Sequence, residues 1–347
     1  EKLVLGIVKD ELTEVQDEFG DHRRTEIVEE TRELTIEDMI VEEDMVVTIS
    51  NSGYIKRNPI TLYQSQHRGG KGKTAMGTKE EDFVKQLFVA STHHTFLFFT
   101  NKGRVYWRKV YEIPQAGRLS RGKAVVNLLS LEKDEKLATV MAVPSFDPGN
   151  FIIMVTKHGL VKKTDIMAYS RPRSGGIIAL DLVPGDELIR ARITDGTMNV
   201  FLCSVMGKSI RYHESDVRPT GRVARGVRGM RLAEGDTIVG MQVLSHGQTL
   251  LAATEKGYGK RTSIDEYPIQ KRGGKGVITI KTNERNGMVV SILLVEEHDD
   301  LMVMTDSGKI IRMPIRGISV ISRNTQGVKL IGMAPGERVV GAARLAE

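Results

Sequence analysis

Cysteine and aromatic residues are scarce in this 347-residue chain, and long apolar runs are missing altogether. The single cysteine, Cys203, excludes an internal disulfide; lying in the run Val200-Phe201-Leu202-Cys203, it reads as a core thiol in a reducing cytoplasm. Aromatics make up 5% of the chain, too few for a platform on which bases could stack. No apolar run reaches the length of a membrane span, and no basic-then-apolar amino terminus marks a secretion signal. Metal-ligand spacing is absent too: His93 and His94, adjacent on a strand, would point to opposite faces. No nucleophile, base and acid share a helpful spacing, and no paired carboxylates suggest a cleft, so no catalysis is expected.

What is present is charge, unevenly placed. Residues 1–44 hold 16 acidic and 5 basic residues, whereas the remaining 303 hold 28 acidic and 45 basic. A basic body of this kind points to a polyanion partner, nucleic acid before acidic membrane. In the leader, Leu5, Val8, Leu12, Val15 and Phe19 recur at 3-4-3-4 spacing with Gly20 behind them. That predicts a helix over 1–19 carrying a narrow coiled-coil stripe. A helix this short is marginal alone, so it reads as the end of a longer helical element. Residues 20–44 read as a charged connector with Glu26-Ile27-Val28-Glu29 as a lone strand. The expected domains are 1–44, leader and connector, and 45–347, the body.

From residue 45 the sequence repeats. β-rich runs lead into polar turns ending at Gly53, Gly103, Gly159, Gly207, Gly257 and Gly308, at intervals of 50, 56, 48, 50 and 51 residues. Polar residues before one glycine, between strand-like runs, signal a hairpin. Six at a nearly constant period predict propeller-type blades. Each unit continues through a loop rich in Arg or Gly to a short apolar strand, such as Gly276-Val277-Ile278-Thr279-Ile280, and then a last strand. One four-stranded sheet cannot cover both its faces, so units must stack and close into a ring. The expectation is an all-β, six-bladed disc behind a short N-terminal helix, with Met154, Met302 and Met304 as packing residues.

Four residues after each turn glycine stand Arg57, Trp107, Lys163, Arg211, Arg261 and Arg312, and Lys56, Lys162 and Lys260 precede three of them. Positions fixed relative to the turn recur on every blade, so these cations predict a ring around one perimeter. Trp107 is read as a packed aromatic at a blade junction. More cations fall between second and third strands: Arg118, Arg121 and Lys123; Arg171 and Arg173; Arg222, Arg225 and Arg228; Arg316 and Arg323. A circular positive track suits double-stranded DNA wound on a rim, held by phosphates with little base reading and favouring DNA that bends easily. The competing reading is a propeller-type protein-interaction platform whose cations only solvate the surface.

The heptad Gln66-His67-Arg68-Gly69-Gly70-Lys71-Gly72 returns as Gln270-Lys271-Arg272-Gly273-Gly274-Lys275-Gly276. Glycine permits φ > 0 and close approach, while Arg, Lys and bare amides offer donors to an anion. Gly72-Lys73-Thr74 ends like a P-loop, but its first glycine would fall at His67, and the second copy lacks Lys-Ser/Thr, which argues against a nucleotide site. The heptad resembles the gyrase-A box, Gln-Arg-Arg-Gly-Gly-Lys-Gly, of the C-terminal domains of bacterial DNA gyrase A subunits. Gly53-Tyr54-Ile55-Lys56-Arg57, Gly257-Tyr258-Gly259-Lys260-Arg261 and Arg323-Asn324-Thr325-Gln326-Gly327-Val328 also sit where that family carries similar strings, so the resemblance covers essentially the whole chain.

This resemblance implies a β-pinwheel whose blades exchange strands, and chiral wrapping of duplex DNA that enables ATP-dependent negative supercoiling. Its implied partners are the remainder of the gyrase A polypeptide and the gyrase B polypeptide, in a complex of two A and two B subunits in the bacterial cytoplasm, with no membrane. The fragment alone would be monomeric. The cleavage tyrosine and ATP site would lie outside this chain, leaving it without turnover or cofactor. Two departures stand out: His67 replaces the family's Arg, removing one fixed charge, and blade five carries a second box-like loop. A topoisomerase IV-like wheel, shorter or without a full box, is the alternative.

Overall fold

Six hairpins generate the fold, and five of their turns share one chemistry. The computed structural model describes residues 2–21, 24–25, 36–50, 52–62, 84–117, 120–244, 248–307 and 310–345. In five of the turns, the carbonyl of Ser50, Thr100, Thr156, Ser204 or Thr254 accepts the amide of the glycine three residues on. Those glycines have φ between 72° and 81°, a region costly to any residue with a Cβ. In four of the turns the Ser or Thr hydroxyl also accepts the amide just after the glycine. The sixth turn glycine, Gly308, lies outside the described residues, as do Glu26–Glu29 and the first heptad, Gln66–Gly72.

The chain divides into two units, Glu1–Ile40 and Val41–Glu347. The first contains the helix Lys2–Phe19, none of whose residues is buried; the stripe Leu5, Val8, Leu12, Val15 and Phe19 faces solvent. The second is the propeller. Each blade centres on a hairpin, Asp44–Ser50 with Tyr54–Pro59 in the first and Thr95–Thr100 with Arg104–Lys109 in the second. The strand that follows later in the same unit pairs back onto the first hairpin strand, as Val84–Ser91 and Leu137–Val143 do. From blade two onward these third strands pack against one another in succession, placing them innermost.

The outermost strand is borrowed. Lys123–Ala124 from the second unit pairs with Tyr54–Pro59 of the first blade. Ile177–Ile178, Val227–Arg228, Val277–Ile278 and Val328–Lys329 are likewise passed back one blade. Among the described residues, five sheets thus have four strands and the sixth has three. The sequence pattern had placed all four strands in their own unit, whereas the family resemblance implied this exchange.

Both faces of the central strands are buried, so alternate residues serve opposite seams. Phe96 and Phe98 join Met45 and Val47 of blade one, whereas Leu97 and Phe99 join Ile152 and Met154 of blade three. Cys203 is a buried free thiol in the seam with blade five, and burial pushes it up to about 12. Met154 is fully buried; Met302 and Met304, on the last blade, are half-buried.

Candidate nucleic-acid interface

Four of the five cations in register with the turns are drawn in from the surface. Lys163, Arg211 and Arg261 are buried, and Arg57 is half-buried. Each reaches across a seam to the short 3-10 turn of the next blade. Arg57 Nε donates to the Ile113 carbonyl at 2.7 Å, and Lys163 Nζ to Glu214 O at 3.0 Å. Arg211 Nη1 donates to Ile264 O at 3.0 Å, and Arg261 Nε to Ile318 O at 2.6 Å. Trp107 fits the same series: its indole Nε1 donates to Tyr169 O at 2.8 Å. The repeat therefore keeps a long hydrogen-bond donor in register, charged or neutral, and two of the cations, Lys163 and Arg261, also pair with Glu214 and Glu297. Arg312, on the last blade, is exposed and pairs with Asp300.

The preceding lysines do the same for the exchanged loops. Buried Lys56 donates to Gly117 O at 2.9 Å, and Lys162 to Ala179 O at 2.6 Å and to Arg222 O. Lys260 donates to Ser322 O at 2.7 Å and Arg323 O at 2.5 Å. The expected perimeter ring thus fails for Lys56, Arg57, Lys162, Lys163, Arg211, Lys260 and Arg261. Buried carbonyls left without donors are destabilising, and these side chains supply the donors.

Burial, reinforced by Arg222 and opposed by Asp181, brings Lys162 down to about 7 from 10.5. Burial also brings Lys260 to about 8, with Glu266 opposing and Arg323 adding. Between pH 7 and 10.5 the unfolded chain then binds more protons at Lys162 than the folded one. The contribution of Lys162 to stability is lowest below pH 7 and rises with pH through that window. Lys162→Met is expected to flatten this rise in a series of melts; parallel curves for variant and parent would show that Lys162 does not titrate there.

The second heptad lies in the loop that the fifth unit passes back to blade four. Its glycines make docking contacts with blade four. Gly273 donates its amide to Gly229 O at 2.8 Å, and the Gly274 carbonyl accepts from Arg231. Gly276 has φ +70°, and a Cβ there would stand 2.1 Å from the Ser209 carbonyl. Gln270 donates its amide to Arg211 O, and Arg272 donates to Asp216 O at 3.0 Å and Arg228 O at 2.6 Å. Lys271 and Lys275 remain exposed.

The exchanged loops carry the outward charge. Lys123, Arg171, Arg173, Arg225, Arg228 and Arg316 are exposed, whereas Arg121, Arg222, Arg272 and Arg323 are half-buried. Arg118 lies outside the described residues. Arg121 stacks over Tyr54 with its guanidinium 5.0 Å from the ring centre, and Arg225 pairs with Asp181 at 2.7 Å. Backbone bonds join successive loops, Asp181 to Ala224, Arg231 to Gly274 and Lys281 to Thr325, so the basic segments adjoin. Between two of them, Arg173 and Arg222 meet Arg104 around a recess of about 280 Å³. Arg104 was missed from sequence; it directly follows a turn glycine, a position read only as strand.

These features define a strand-exchanged, six-bladed β-propeller whose exchanged loops carry exposed cations. A family model described as DNA gyrase C-terminal domain, beta-propeller, matches residues 44–91, 94–144, 150–195, 199–245, 248–296 and 299–346, one match per blade. The chain belongs to this family. The DNA gyrase A polypeptide of Salmonella typhimurium is 47% identical over 344 residues, covering 99% of this chain and 39% of that protein. Its counterpart in Escherichia coli K12 is 48% identical over 95% of this chain and 38% of that protein. This chain therefore spans well under half the length of those relatives. In fold it matches a C-terminal domain of DNA topoisomerase IV (25% identity, TM-score 0.77, 88% of this chain and 94% of that one). It also matches a DNA gyrase A C-terminal domain (24% identity, TM-score 0.69, 88% and 100%).

Proposed function

We propose that this chain binds, bends and chirally wraps duplex DNA along its exchanged loops. The observation that carries this reading is the exposure of Lys123, Arg171, Arg173, Arg225, Arg228, Lys271 and Lys275 on the loops and short exchanged strands of successive units. Cations without a recognition helix hold phosphates and read no bases. Bending 20–30 bp by 40–90° costs about 1–6 kcal/mol, which requires contacts from several blades. The wrap would serve ATP-dependent negative supercoiling within a gyrase complex of two A and two B subunits in the bacterial cytoplasm. Cleavage and ATP hydrolysis would reside elsewhere in that complex, and the chain alone would be monomeric and without turnover. The first heptad, Gln66–Gly72, keeps its proposed DNA-binding role on the family resemblance, whereas only Lys271 and Lys275 of the second are proposed as direct contacts.

Salt titration of duplex affinity tests this. Log K against log salt should fall by about 0.9 per phosphate neutralised, giving a slope of many contacts that flattens when Arg228 or Lys275 is changed to Gln. A slope equivalent to one or two contacts would leave a protein-interaction platform as the better reading.

A further inference from the structure

Near the axis of the wheel, two guanidiniums lie without a partner among the described residues. Arg190 and Arg192 flank Ala191 on the strand Leu188–Thr194, so both side chains leave the same face. This strand packs between the third strands of blades two and four. Among the described residues neither guanidinium makes an ion pair or side-chain hydrogen bond, and Arg190 Nε is buried with no acceptor. Burial lowers Arg190, and burial together with the neighbouring Arg190 brings Arg192 to about 10. Arginine still does not lose its proton near neutral pH. Both side chains are half-buried; a charge drawn out of water is ordinarily paired, and no carboxylate among the described residues pairs with either.

Arg190 lines a cavity of about 380 Å³ bounded by blades one, two and three, with Lys136, Asn101 and Gln86 also in its wall. The acidic residue of that wall, Glu187, is exposed and pairs with neither arginine. The volume is in the range of small-ligand sites, about 300–1,000 Å³. It is far too small for a duplex, whose major groove alone is about 12 Å wide.

We propose that this axial cavity binds a small multivalent oxyanion of the phosphate class, held by Arg190 with Arg192 and Lys136 adding positive charge. A guanidinium presents paired N–H donors that match two oxygens of such an anion. The bound anion joins the inner edges of three blades. The site is separate from the exchanged loops and does not depend on DNA wrapping.

Melting of this chain against pyrophosphate, at ionic strength held constant with sodium chloride, tests the proposal. A saturable rise in Tm is expected for the parent. Arg190→Met should melt higher than the parent without anion, because the unpaired charge is gone, and should lose the pyrophosphate response. Lys136→Gln, which leaves the strand core untouched, should weaken pyrophosphate about tenfold. A saturating short duplex should leave the response in place. The proposal is overturned by no saturable rise in the parent, an unchanged response in both variants, or displacement of pyrophosphate by duplex.

Discussion

Gly276→Ala is expected to destabilise the propeller by about 2–5 kcal/mol, combining the penalty of a left-handed residue with that of overpacking. Its φ is +70°, and the new Cβ would stand 2.1 Å from the Ser209 carbonyl, a backbone atom that cannot move without unpairing Val277–Ile278 from blade four. Gly122, Gly226 and Gly327 meet the preceding blade in the same way. Gly185 provides the control: its φ is +83°, but nothing lies within 4 Å of a Cβ there. Gly185→Ala should therefore show only the backbone penalty, about 1–2 kcal/mol. Urea unfolding of both variants checks this, and equal losses would mean that the close approach to Ser209 carries no energy.

Lys163→Met should be at least as damaging, by about 3–5 kcal/mol, because it leaves a buried carboxylate without its counter-charge. The Lys163 ammonium lies 3.5 Å from the Glu214 carboxylate, which is fully buried. Glu214 cannot swing out to water, since it also accepts from Thr194 Oγ1 at 2.7 Å and Met198 N at 2.8 Å. The same ammonium sits 4.9 Å from the Phe151 ring centre. Arg228→Glu, exposed at the end of an exchanged strand, should instead weaken duplex binding and leave the melt unchanged. Urea curves and duplex titrations on both variants separate the roles. A Lys163→Met protein of native stability and poor DNA affinity would return Lys163 to the rim.

The burial of the register cations had a trace in the sequence. Residues two and four after a turn glycine share a strand face. That pairs Arg57 with Ile55, Trp107 with Val105 and Lys163 with Val161, and all three of those partners are core residues. Apolar partners on one face argue for a seam, and Trp107, a neutral donor in a cationic series, pointed the same way. Charge count alone concealed this, because a long cation can hide its stem and still deliver an N–H to a carbonyl.

By itself the sequence determined the blade count, the turns and the all-β class, because a glycine with positive φ and a period near fifty residues are local facts. Surplus positive charge was equally plain. Tertiary structure alone decided which strand belongs to which sheet and which cations meet solvent. Both depend on what the neighbouring blade brings: an edge strand to pair with, or a bare carbonyl that needs a donor. Such a demand is set across a seam between residues about fifty positions apart, and no local pattern records it.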